Sequence, residues 1–445
     1  MASFDIIVMV AQMILGLSIL VGIHEFGHMI AAKMFGMRVE QFSIGFPPRI
    51  FSFTYKETQY SIGSIPLGGY VKISGMIDES MDTDQMKEEP KEWEFRSKPT
   101  WQRLIVMMAG IILNVITGII VFVMLVYTHG ETYHTREQVN QYGIVAYELG
   151  QEIGLKTGDK IIKVNGKDYE RFSDITSADV LLENTSYYTV ERNGEIFEVK
   201  VPSGFIERFS DKKTRFIDPI RPYEVHDLIP GSGAKKAGIE KGDQPLKVNG
   251  HDVKYFHQIV EVLAEYKGKE VEITLLRKSE SGAEKELSLP VQVSEDGTIG
   301  FYPNFLLDYS EIKYSLAEAI PVGSARAFSV VWLNMKAFGK MFKGEINPAK
   351  SVRGPLGIMQ EFGTTWDWTR FWTLTGLLSM VLAFMNFLPI PALDGGHVAF
   401  LLYEMISGRK PSDRFLENAQ KVGMVLLLSL MAFVIFNDFI QMFFQ

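Results

Sequence analysis

The chain has 445 residues, 47% hydrophobic and 22% charged, and its mean hydropathy of +0.06 is too high for an ordinary soluble enzyme and too low for a bare bundle of membrane helices, so spans joined to water-exposed domains are expected. A net charge of -8 argues against a nucleic-acid binder, whose surface carries a basic stripe. The absence of cysteine excludes thiol catalysis, thiolate metal sites and disulfides, so any metal must be held by His, Asp or Glu.

The first apolar segment runs from about Ile6 to Ile23 and continues as a helix towards Ala32, close to the ~20 residues a bilayer needs. No basic residue precedes it and no small-residue cleavage site follows, so it reads as a retained span and not as a cleaved signal peptide. It ends in GIHEFGHMIA, Gly22 to Ala31. On a helix His24 and His28 share one face and can point a nitrogen each at one ion. Glu25 projects ~100° around the axis, off the ligand face but within reach of water at such an ion, where a carboxylate can take and return a proton. Ionisable groups inside a span cost roughly 2.5–3.5 kcal/mol on insertion scales, which favours a functional reading of the triplet. A catalytic zinc takes three protein ligands, and the extended HExxHxxGxxH pattern fails because Ala31 and Met34 stand at its last two positions.

From Phe42 to Met76 the chain reads FSIGFPPRIFSFTYKETQYSIGSIPLGGYVKISGM, alternating with period two and broken at Pro47-Pro48 and Gly68-Gly69, which is strand and hairpin chemistry. Glu40 and Glu57 are possible metal donors but belong to this polar, hairpin-forming stretch. The acidic run from Asp78 to Glu94 reads as a solvated linker. A second span is expected from about Leu104 to Tyr127.

Between His129 and Trp368 the sequence repeats itself. GLKTGDKIIKVNG (Gly154 to Gly166) recurs as GIEKGDQPLKVNG (Gly238 to Gly250), and each copy leads into a hairpin-like pair, YYTVERNGEIFEVKV and EVEITLLRKSESGAEKELSLPV. Two tandem β-rich domains, 129–212 and 213–303, are predicted. The shared pattern resembles the signature of PDZ domains as found in bacterial membrane proteases. LIPGSGAKKAG, before the second copy, resembles a carboxylate-binding loop, and YELGQEIG in the first copy is the poorer match. Residues 304–365 read as amphipathic helices on the outer surface, broken at Arg353-Gly354-Pro355.

A third span is expected from about Phe371 to Leu388 and a fourth from about Val422 to Phe436. The third ends in NFLPIPALDGGH, Asn386 to His397, where Pro389 and Pro391 should break the helix. Asp394 follows this apolar run on the side of the membrane that His24 and His28 reach, and is the expected third ligand. Asp5 and Asp438 lie at outer ends and read as interfacial. His397 reads as a structural neighbour of the site. Asn386 serves either a substrate carbonyl or the broken helix. Lys33, Arg38, Arg96, Lys98 and Arg103 after span one, and Arg409, Lys410, Arg414 and Lys421 after span three, place those loops in the cytoplasm and both termini with the repeat outside.

HEFGH in the first span, LDG in a later one, PLGGYVK in the hairpin between the first two spans and the paired outer domains together resemble the site-2 protease family of intramembrane zinc metalloproteases over nearly the whole chain. The resemblance implies a polytopic α-helical membrane protein of about four spans, with a membrane-re-entrant β-hairpin and two tandem extracytoplasmic PDZ-like α+β domains. It implies zinc on His24, His28 and Asp394, Glu25 as catalytic acid/base, Asn386 on the substrate, and Gly68, Gly69 and Tyr70 in the re-entrant hairpin. Its substrates would be single-span proteins of a bacterial inner membrane, such as an anti-sigma-type factor or signal-peptide remnants, cut after an upstream site-1-type protease has acted. Two rival readings use the same residues: a metal transporter with His24, His28 and Asp394 as transit site, and a PDZ receptor whose metal is structural.

Overall fold

Long apolar runs become long helices. The computed structural model describes residues 3–76, 89–183, 185–202, 205, 208, 215–278, 283–344 and 354–444. Two units emerge, one formed by residues 1–130 with 313–445 and the other by residues 131–312.

The first unit contains α1 (Ser3–Met34), β1 (Val39–Tyr55), β2 (Thr58–Ile73), α2 (Thr100–His129), α3 (Leu316–Phe342), α4 (Pro355–Phe362), α5 (Trp368–Phe387), α6 (Asp394–Ser407) and α7 (Asp413–Phe444). Among the described residues five helices are long and apolar enough to cross a membrane, not the expected four: Asp5–Met34, Thr100–His129, Leu316–Met341, Trp368–Phe387 and Arg414–Phe439. The addition is α3, a single helix where amphipathic outer helices were expected. Its start packs on Val123 and Val126 of α2, and its far end brings Phe338 within 5.7 Å of Phe384 on α5. The described chain resumes at Gly354, whose amide donates to Asp438, and α4 then packs on Met9 and Phe371. Phe371 belongs to the same end of the bundle as the start of α3, since Thr369 bonds His129 there at 3.0 Å. Arg353, part of the expected break, lies outside the described residues.

α2 organises this unit, packing against α1, α3, α5 and α6. Ile112, Ile116, Ile120 and Met124, four residues apart, are exposed on one face. Val106, Gly110, Asn114 and Gly118 are buried on another. A helix apolar on both faces belongs in a core or in lipid, and the exposed isoleucines choose lipid. At its start, Arg103 pairs with Glu404 of α6 at 2.6 Å, both largely buried, which ties the two helices together.

The hairpin is more folded than the alternation suggested. β1 and β2 each bend, so that segments 51–55, 58–62, 39–44 and 69–73 lie side by side in that order. Residues 69–73 thus form an edge. Of the acidic run, residues 78–88 lie outside the described residues. Glu94, at its end, pairs with Arg96 at 2.6 Å.

The repeat of the second unit is structural. Strands 160–164, 187–192 and 195–200 form one sheet, and 244–248, 270–278 and 284–292 form its counterpart. Ile161, Tyr188 and Val190 centre one core, Val248, Ile273 and Val291 the other. The GD step explains itself. Asp159 and Asp243 are each 1% exposed and each is clamped by an arginine of the next strand, Arg192 at 2.6 Å and Arg277 at 2.7 Å. Each arginine also donates to the carbonyl of the motif's first glycine, Gly154 or Gly238. Losing one partner would strand a buried charge at a cost of about 3–5 kcal/mol. Asn165 and Asn249 hold left-handed turns (φ 51° and 47°) and accept the Tyr187 and Glu272 amides.

One expectation needs correction. The boundary between the repeats is not at 212, because strand 217–219 pairs with 144–146 and Phe216 and Ile217 complete the first core. In the loop likened to a carboxylate-binding loop, Ser232 N donates to Ile229 O, Ala234 N to Ile299 O, Lys235 N to Ser232 Oγ and Lys236 N to Ser232 O. An N-capped turn, Gly233–Lys236, is what that sequence encodes.

Candidate metal centre

The one turn of α1 that carries His24 and His28 is buried, with the two residues 7% and 5% exposed. α5 ends at Phe387, and the chain crosses Pro389, Pro391 and a left-handed Ala392 (φ 78°) before α6 begins at Asp394. The break was expected. Its consequence was not: Asp394 opens a new helix, where its charge meets the positive end of the helix dipole. The following glycine is required, since a Cβ on Gly395 would lie 2.2 Å from Leu388 O.

His24, His28 and Asp394 thereby converge. Asp394 Oδ2 is 3.0 Å from His24 Nε2 and 3.3 Å from His28 Nε2, and the two Nε2 atoms are 3.2 Å apart. Among the described residues this is the one grouping of three His, Asp or Glu side chains with ligand atoms close enough for a metal. His28 gives its Nδ1 proton to Val106 O at 2.8 Å, so neutral His28 turns the lone pair of Nε2 towards Asp394. Asp394 Oδ2 itself is buried without a hydrogen-bond donor. A lone pair facing a buried carboxylate oxygen is repulsive unless a cation joins them, so the donor set fits a zinc ion.

The other expected residues sort themselves around this cluster. The Glu25 carboxylate takes a hydrogen bond from the Val71 backbone of the sheet edge. A Cβ on Gly69 would lie 2.6 Å from Val21 Cγ1 and 3.4 Å from Glu25 Cγ, so the edge passes directly against the HExxH turn. Gly68 instead rests on the Phe46 ring, and the Tyr70 hydroxyl is spent on Gln41. Asn386 does reach the cluster, with Nδ2 3.3 Å from His24 Nε2. Glu40 is taken by Ser74 and Lys72, Glu57 pairs with Arg38, and Asp438 accepts amides at the start of α4. His397 stands outside the cluster, on the wall of a cavity shared with Arg103 and Glu404.

Sequence reasoning missed what α2 contributes. Asn114 is fully buried with Nδ2 3.1 Å from His24 Nδ1, and Gly110 leaves the space into which both imidazoles fit. A lone amide in the span LIVMMAGIILNVITG was the available signal.

The profile of peptidase family M50 matches residues 12–430. The chain belongs to peptidase family M50. It is 29% identical to the regulator of sigma E protease of Haemophilus influenzae, over 96% of this chain and 98% of that one. It is also 29% identical to the regulator of sigma-E protease RseP of Escherichia coli K12, again over 96% and 98%. A Vibrio cholerae protein named as a zinc metalloprotease is 28% identical over the same shares. As a member of this family, which is that of the site-2 proteases, the protein is a zinc metalloprotease with several helices apolar enough to span a membrane.

Proposed function

We propose that this protein cuts single-span membrane proteins within the bilayer, with His24, His28 and Asp394 as zinc ligands and Glu25 as general acid/base. The observation that carries the reading is the convergence of three ligand atoms beside a carboxylate and an open sheet edge. Zinc, when bound, supplies Lewis acidity that makes water acidic enough to attack at neutral pH. Glu25 takes the proton from that water and returns it to the leaving amine. Apart from the Val71 amide that bonds Glu25, residues 69–73 offer backbone groups on which a substrate segment pairs as an added strand, unwinding the helix that would otherwise shield its peptide bonds. Exposed Ile50, Phe51, Phe53, Tyr55 and Ile62 suit the same sheet to lipid. In this reading Asn386 holds a substrate carbonyl. In keeping with relatives named as regulators of sigma E, the substrate in this reading is an anti-sigma-type factor of a bacterial inner membrane, trimmed first by an upstream protease.

Asp394→Asn should weaken both zinc retention and activity, since a neutral amide is a poorer donor to a dication than a carboxylate. His397→Ala should leave zinc content near that of the parent. Metal analysis of the purified proteins reads both, and the reverse ranking would move the ligand to His397.

The repeats fit a size filter of PDZ-like domains. A folded unit joined to spans at both ends obstructs bulky ectodomains and admits trimmed ones. Strands 131–133 and 310–312 pair, so the ends of the unit lie side by side and a short flexible linker can replace about Gln138 to Pro303. The shortened protein should keep its zinc and cleave untrimmed substrates that the full chain spares. Equal discrimination by both, on substrates matched except for a folded ectodomain, would remove the filter from the repeats.

A further inference from the structure

We infer that Asn114 of α2 is a positioning residue that sets the tautomer of His24, accepting its Nδ1 proton so that Nε2 is left as the metal-binding lone pair. The inference rests on the reading of His24, His28 and Asp394 as the zinc ligands. A metal-ligating imidazole nearly always donates its other N–H to an oxygen, which fixes both ring orientation and basicity. For His28 that oxygen is Val106 O, at 2.8 Å from Nδ1. For His24 the side chain beside Nδ1 is Asn114, whose amide nitrogen is 3.1 Å away and whose Oδ1 is buried without a partner. Half a turn of the amide exchanges those two atoms, at the cost of turning the amide nitrogen to the buried side where Oδ1 has no partner. Oδ1 then accepts from His24 Nδ1–H, and the orphaned acceptor is accounted for.

The placement follows from the helix. Val106, Gly110 and Asn114 recur every fourth residue and so share one face of α2. They present in turn a carbonyl for His28, an open space for both rings and an amide for His24. Asn114 is itself held in place: its backbone carbonyl accepts the Ser379 hydroxyl of α5 at 2.8 Å, and both residues are fully buried. One face of one helix therefore aims both histidines, although it supplies no ligand.

The test is zinc affinity of the full-length protein, measured by competition with a chelator in detergent. Asn114→Leu keeps shape and suits a lipid-embedded helix but offers no acceptor. Its zinc Kd should rise about 10- to 100-fold. Asn114→Asp offers only acceptors and should bind zinc no more weakly than the parent. An Asp variant as weak as the Leu variant would overturn the inference, as would a Leu variant with parental affinity. If the Leu variant does not fold, the Asp variant still decides, because a role as donor to His24 requires it to fail. His24→Ala separates the two readings: if it binds zinc like the parent, the assignment of the metal centre fails, whatever Asn114 does.

Discussion

Glu25→Gln should hold zinc at about one ion per chain while cleavage of a single-span substrate falls by ~10² or more. The separation is expected from the geometry. The three clustered ligand atoms belong to His24, His28 and Asp394, so the change leaves the donor set intact. Glutamine has the same length and still accepts the backbone hydrogen bond that Val71 offers at this position. What it loses is the capacity to hold a proton between water and the leaving amine. Zinc content by metal analysis and cleavage rate on the same preparation settle the matter. A variant that cuts at the parental rate would remove Glu25 from the chemistry. A variant that loses its zinc would make Glu25 a ligand, contrary to the cluster. The experiment also addresses the receptor reading, in which a structural metal makes the Glu25 change silent.

Much of this molecule was legible because its signals are local or periodic. HEFGH places two imidazoles on one face by helix geometry alone, and the repeat declares itself through seven identities in thirteen positions. Asp394 was reachable because Pro389 and Pro391 must end a helix near the depth of His24 and His28. Other features depend on what packs where, and periodicity is blind to that. α3 carries Pro321, Arg326 and Lys336 inside it, so composition alone made it an outer amphipathic segment. Its partners Val123, Phe122 and Met380 lie on other helices. The boundary at 212 missed strand 217–219, whose three residues pair across some seventy positions of sequence with 144–146. Asn114 belongs to the same class: its polarity was visible, but its partner lies ninety positions away.

Gly110→Ala should impair the protease more than its size suggests, and Gly118→Ala provides the control. Both glycines are buried on the same face of α2, two turns apart. In both, an added Cβ would come within 2.4 Å of the nearest atom. The neighbours differ. At Gly118 the contact is Met380 Sδ, the end of a flexible side chain that can change rotamer. At Gly110 it is His28 Nε2, followed by His24 Cε1 at 2.8 Å and His24 Nδ1 at 2.9 Å. Those rings cannot yield freely, because His28 is tied to Val106 and His24 lies against Asn114, both on the helix that carries the new methyl. The methyl must therefore push the imidazoles off the positions that face Asp394, or push α2 away from α1. Misplacement of a reacting group by about 1 Å costs up to ~10² in rate, and a loss of that order is expected for Gly110→Ala, together with weaker zinc retention. Gly118→Ala should keep its zinc and most of its activity. If the two variants behave alike, the effect is one of helix packing in general, and the face of α2 has no particular hold on the metal centre.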